Sequence, residues 1–132
     1  MITLRDVKRL LDAEVICGED KLDTPVRTGC GCDLMSDVLA FAEPGTLLLT
    51  GLVNCQVVHT AEIIDAVAVV FVRGKRPQPE DRIVEMARER GMPVLATRHP
   101  LFDSCGLLYM AGIRGSIVRD VESCKGAPHV GP

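Results

Sequence analysis

Tryptophan is missing from this 132-residue chain, which carries only one tyrosine and three phenylalanines. So few aromatic rings leave no stacking platform for single-stranded bases, and a formal net charge of −3 removes the basic excess on which a dedicated nucleic-acid binder depends. No apolar run approaches the roughly 18–20 residues of a membrane span. Met1-Ile2-Thr3-Leu4-Arg5-Asp6 carries charges and has no apolar h-region, which argues against a signal peptide. These absences exclude nucleic acid and membrane as partners and predict a cytoplasmic protein. Thiols stay reduced in that compartment, so the six cysteines are expected to be free rather than a disulfide framework. Catalytic signatures are equally scarce. There is no G-x-x-x-x-G-K-[ST] phosphate loop, Ser36 lies in an expected helix without a nucleophile elbow, and the acids fall mainly on solvated helix faces. No catalytic residue is expected.

What the chain does have is apolar side chains, 47% of the total, enough for one substantial core at this length. Thr3 and Asp6 resemble a capping box ahead of Leu4, Val7, Leu10 and Leu11 at helical spacing, which predicts a helix over about 3–12. Glu14-Val15-Ile16-Cys17, and a second extended stretch opened by Val26, read as strands. Thr28-Gly29-Cys30-Gly31-Cys32 then leads into an amphipathic helix over 34–42, with Asp33 as its expected N-cap, ended by Pro44-Gly45. Strands are predicted at 46–50, 66–72 and 93–97 and helices at about 54–65, from Pro79 to Gly91, and over 100–112, where Leu101, Cys105, Leu108 and Met110 face inward. Residues 1–115 form the expected single domain. After the short apolar run Ile117-Val118, the remainder of 116–132 is rich in Gly, Pro and polar residues, and that tail is expected to be mobile.

Strands alternating with helices demand a largely parallel sheet covered on both faces, an α/β sandwich, and in such sheets ligands gather at the carboxyl ends of the strands. Those ends supply the candidate ligand-binding residues Thr50, Gly51, Asn54, Arg73, Gly74, Lys75, Arg76, Thr97, Arg98 and His99. Arg73, Lys75, Arg76 and Arg98 with His99 form a cationic rim suited to a phosphate or carboxylate, or are solvated loop charges. His59, mid-helix among apolar residues, reads as a packed or surface histidine.

Gly18-Glu19-Asp20-Lys21-Leu22-Asp23, Asp33-Leu34-Met35-Ser36-Asp37-Val38, Gly45 with the strand after it, and Gly91-Met92-Pro93-Val94-Leu95-Ala96-Thr97 together resemble the DRTGG domain family. The resemblance runs from about Val15 to Ile113. It implies a three-layer α/β/α sandwich similar to the N-terminal domain of HPr kinase/phosphorylase, without that enzyme's kinase activity. It further implies a non-catalytic regulatory or interaction module, a homodimer, with a link to anaerobic redox or hydrogenase metabolism and a protein partner there. A sensor of a nucleotide or other small anion is the alternative. Cys30 and Cys32 depart from the family pattern, as does Val72-Arg73-Gly74 in place of Thr-Gly-Gly. Cys30, Cys32 and Cys55, with Cys105, leave a third reading open: a redox thiol or a zinc or iron-sulfur ligand set, against small residues that permit a tight strand-to-helix turn. No cofactor is expected otherwise.

Overall fold

Every residue of strand β3 (Thr46–Thr50) is buried. A strand apolar on both faces needs a covering layer on each side, and the computed structural model, which describes residues 1–115, has both. On one face Leu48 packs with Val69 and Phe71 of β4 (Ala68–Phe71) and Val94 of β5 (Val94–Ala96). These side chains meet α2 (Met35–Phe41), α3 (Cys55–Ile63) and α4 (Arg82–Glu89) through Met35, Val38, Val57, Val58, Ala61, Ile83 and Ala87. On the other face Leu47, Leu49, Ala68, Val70 and Leu95 pack on α1 (Leu4–Leu10) and α5 (Leu101–Met110) through Leu4, Val7 and Leu108. The period of two along each strand thus sorts neighbouring residues into two separate cores. The result is the expected three-layer α/β sandwich.

With β1 (Glu14–Cys17), β2 (Thr28–Gly31) and β6 (Arg114–Gly115), the sheet has the order β1-β5-β4-β3-β2-β6. All neighbours pair in parallel except β1, which runs antiparallel to β5 at one edge. The chain steps from β2 to β5 with α2, α3 and α4 between strands, then returns under the opposite face through α5 to reach β6. Parallel pairing therefore places the carboxyl ends of β2, β3, β4 and β5 along one edge.

Local chemistry explains the helix ends. The Thr3 hydroxyl accepts from Asp6 N while the Asp6 carboxylate accepts from Thr3 N at 2.9 Å, so α1 starts with the expected capping box. Helix α4 begins at Arg82 rather than at Pro79, because Asp81 takes the extended N-cap conformation and its carboxylate accepts from Gln78 N at 2.8 Å, which holds Pro79 in a turn. Met110 is 86% exposed, not inward. It lies two residues beyond the buried Leu108, about 200° around a helix of 3.6 residues per turn. Strand β6 was not foreseen, since two residues carry no periodicity. The expected tail at 116–132, with Ile117-Val118, lies outside the described residues.

Candidate functional site at the carboxyl edge of the sheet

Four strand-to-helix connections lie at this edge, and Gly51, directly after β3, meets residues from two of the others, Asp33 and Arg73. Asp33, expected to cap α2, does something else: α2 has Leu34 at its N-cap with no side-chain bond. The Asp33 Oδ1 atom accepts from Thr50 Oγ1 and from Gly51 N, both at 2.8 Å. Thr50 and Gly51 are buried donors at the end of a fully covered strand, so an unpaired state would be costly, and they take the carboxylate away from the helix. Those two bonds, first the Gly51 amide and then the Thr50 hydroxyl, hold the Asp33 carboxyl below the ordinary carboxylate range; partial burial opposes them and Arg73 adds a smaller attraction.

Arg73 also meets Gly51. A Cβ built on Gly51 would stand 2.7 Å from Arg73 Nη2 and 3.3 Å from Cζ, so the guanidinium rests directly on that glycine. The Arg73 backbone is in the left-handed region at φ 63°, which costs a non-glycine residue about 1–2 kcal/mol. Arg73 N donates to His99 O at 2.8 Å and Gly74 N to Thr97 O at 3.0 Å, and these bonds hold the strained turn against the end of β5.

The structure thus joins Thr50, Gly51, Arg73, Gly74, Thr97 and His99 in one network. Within it the Thr97 hydroxyl donates to Leu11 O at 2.7 Å and accepts from His99 N at 3.3 Å. The Thr50 hydroxyl, besides donating to Asp33, accepts from Leu52 N at 3.2 Å. Both hydroxyls serve the protein's own turns. Asn54 lies a few residues on, where its side chain accepts from Val57 N at 3.1 Å and caps α3. Arg76 turns to Glu14 on β1, with Nε donating to Oε1 at 2.8 Å. Lys75 and Arg98 are exposed and make no ion pair among the described residues. Gly74, Arg76, Thr97 and Arg98, with Glu14 and Ala96, line an open cleft of 480 Å³.

Asp33 and Glu14 are the members that reading the sequence missed. The available signal was the Thr-Gly pair at the end of a buried strand: two buried donors require an acceptor, and an aspartate two residues past the neighbouring parallel strand can supply it.

The cysteines do not converge on this edge. Cys30 is half-buried against the α2–α4 core, and burial first, then the Cys32 and Cys105 thiols, raise its pKa. Burial likewise raises Cys105, whose Sγ packs on Gly31 so closely that a Cβ there would lie 2.5 Å away. The Cys32 Sγ accepts from Leu34 N at 3.3 Å, and Cys55 is the first residue of α3. Among the described residues no three His, Cys, Asp or Glu side chains are grouped to hold a metal ion. His59 is exposed, with Nδ1 3.2 Å from Arg90 Nη1, and Arg90 also pairs with Glu62.

Asp33 gives the edge a pH dependence. Its folded pKa is depressed, so its contribution to stability is complete above the unfolded value of 3.8 and is lost as pH falls through the folded value. The difference in unfolding free energy between wild type and Asp33→Asn, followed by urea titration, should stay constant from neutral pH to about pH 5 and shrink below about pH 4. A difference that does not change down to about pH 2 contradicts this role.

No family model and no curated sequence matches the chain. Its fold does match a solved structure, the CBS and DRTGG domains of the regulatory region of Clostridium perfringens pyrophosphatase, complexed with the activator diadenosine tetraphosphate. The TM-score is 0.68 at 15% identity, and the match covers 96% of this chain but 60% of that one. The likeness is one of fold, and it agrees with the DRTGG-like architecture implied by the sequence. Among the described residues no helix is long and apolar enough to cross a membrane.

Proposed function

We propose that the protein is a non-catalytic regulatory module that senses a phosphate-bearing small molecule, a nucleotide, at the carboxyl edge of its sheet. The observation that carries this reading is Arg73: a strained backbone, held by two hydrogen bonds to the segment that follows β5, sets its guanidinium on Gly51, with the cations Lys75 and Arg98 at the same edge. Strain of this kind persists where the surrounding structure over-determines it, and it clusters at ligand clamps. Lys75 and Arg98 are exposed and make no ion pair among the described residues, so they add positive charge to this edge. The fold neighbour is a regulatory region bound to a nucleotide activator, which supports the same reading. The Thr50 and Thr97 hydroxyls are engaged with Asp33 and Leu11 and each also accepts from a backbone amide of its own turn, a structural use that fits sensing rather than catalysis. Among the described residues burial raises the pKa of Cys17, Cys30 and Cys105 and Cys32 is bonded to local backbone, which lends no support to a redox role. Calorimetric titration with ATP and with diadenosine tetraphosphate tests the proposal: saturable binding is expected, and no heat with either ligand at millimolar concentration contradicts it.

A second observation favours self-association. Phe102, Tyr109 and Met110 of α5 are 86%, 57% and 86% exposed, and Arg114 stacks on Tyr109 at 4.0 Å. Phe102 and Tyr109 are seven residues apart and share a helix face. Beside them an apolar cleft of 310 Å³ opens between α5 and β2, lined by Gly29, Gly31, Cys105, Leu108 and Ile113. Large apolar side chains beside an apolar cleft are the features of an interaction surface, and a second copy of the chain is the proposed occupant. Light scattering at micromolar concentration should give twice the chain's mass, and the double substitution Phe102→Lys, Met110→Lys should return it to that of one chain. A monomeric wild type, or a double variant that stays dimeric, contradicts this surface.

A further inference from the structure

We infer that Asp33 recognises the ribose of the bound molecule, so that the edge selects a ribonucleoside polyphosphate over a bare phosphate anion. The inference rests on the ligand-sensing reading above and adds the part of the ligand that Asp33 reads. A site built for inorganic phosphate alone has no use for a carboxylate, because like charges repel. Here an exposed carboxylate bonded to the Gly51 amide and a guanidinium resting on Gly51 meet at the same residue and do not close into an ion pair among the described residues. Opposite charges held apart at one strand end form an acceptor beside a donor.

The two groups differ from their neighbours in having atoms still free to bond. Oδ1 of Asp33 is occupied by Thr50 Oγ1 and Gly51 N, which fix the carboxylate in place, whereas Oδ2 receives no donor from any described residue. The Arg73 guanidinium makes no hydrogen bond among the described residues; only its backbone is tied down. A ligand that matches this pair must donate from hydroxyls at one end and carry anionic oxygens at the other. Vicinal ribose hydroxyls and a phosphate chain are that combination: the hydroxyls donate to Oδ2, and the phosphate oxygens accept from the guanidinium fork and from Lys75 and Arg98. Inorganic polyphosphate meets the cations and is repelled by Asp33.

Calorimetry with ATP, 2′,3′-dideoxy-ATP and tripolyphosphate on wild type and Asp33→Asn tests the assignment. Asparagine keeps an acceptor oxygen for Thr50 and Gly51 but replaces Oδ2 by a donor, and circular dichroism checks that the variant is folded. Wild type should bind ATP about tenfold more tightly than dideoxy-ATP or tripolyphosphate, the difference expected for one hydrogen bond to a charged group. Asp33→Asn should lose that tenfold for ATP alone, with tripolyphosphate affinity unchanged or raised. Equal affinities of wild type for ATP and dideoxy-ATP overturn the ribose assignment by a comparison that needs no variant, while leaving the sensing reading intact. Equal losses of ATP and tripolyphosphate binding in Asp33→Asn overturn it as well. Failure of wild type to bind ATP, diadenosine tetraphosphate and tripolyphosphate alike overturns the sensing reading itself, and the inference with it.

Discussion

Arg73→Ala is expected to abolish the rise in melting temperature that saturating ATP or diadenosine tetraphosphate gives the wild-type protein, with the unliganded melting temperature nearly unchanged. At a ligand concentration a hundredfold above Kd, binding stabilises the folded state by about 2.7 kcal/mol. In a chain of this size that is a shift of roughly 8–15 °C, easily resolved by differential scanning fluorimetry. Arg73→Gly separates strain from binding. Glycine accepts φ 63° without a Cβ penalty, so this variant should lose the ligand response while its own stability rises by about 0.5–1 kcal/mol, the relief of left-handed strain less the added entropy of the unfolded chain. Gly51→Ala approaches the same guanidinium from the other side. Its Cβ would meet Nη2 at 2.7 Å, the far end of a flexible side chain, so the fold accommodates it and Arg73 is displaced. A full ligand response in Arg73→Ala contradicts the placement of the site.

The largest effect on stability is expected at Gly18, where the chain turns from β1 into a single 3₁₀ turn, Glu19–Lys21. Its φ is +91°, and a Cβ there would stand 2.6 Å from Pro93 Cα and 2.7 Å from Pro93 Cβ. Pro93 immediately precedes β5, the partner of β1, so neither side can retreat without disturbing that pairing. Left-handed strain and overpacking together make Gly18→Ala destabilising by roughly 2–5 kcal/mol. Equilibrium unfolding in urea measures it, and a loss below about 1 kcal/mol contradicts the close approach.

The sandwich was legible in the sequence because its signals are local and periodic. Leu47-Leu48-Leu49 between two threonines required cover on both faces, and the capping box at Thr3 and the Asn54 cap fix helix starts within one turn. The misses are tertiary in origin. Asp33 stands immediately before the N-cap of a short helix, where propensity favours a cap, yet Thr50 and Gly51 arrive from a different strand with buried donors and claim its carboxylate. Arg76 reads as one cation among four until β1 folds beside it and presents Glu14. Strand β6 consists of Arg114 and Gly115, too few residues for any period, and exists because α5 delivers it to the open side of β2. The candidate edge was readable as a set of strand ends, but its internal division into hydroxyls that serve the turns, an arginine held in strain and a carboxylate acceptor depended on which strands lie side by side.

The most direct measurement is a backbone amide titration by nuclear magnetic resonance with ATP on uniformly labelled protein. If the carboxyl edge is the sensing site, the largest shift changes fall on Asp33, Gly51, Arg73, Gly74 and Arg98, and they saturate together with one dissociation constant. Changes centred on the apolar cleft between α5 and β2, at Gly29, Tyr109 and Arg114, or no changes at millimolar ATP, would contradict it.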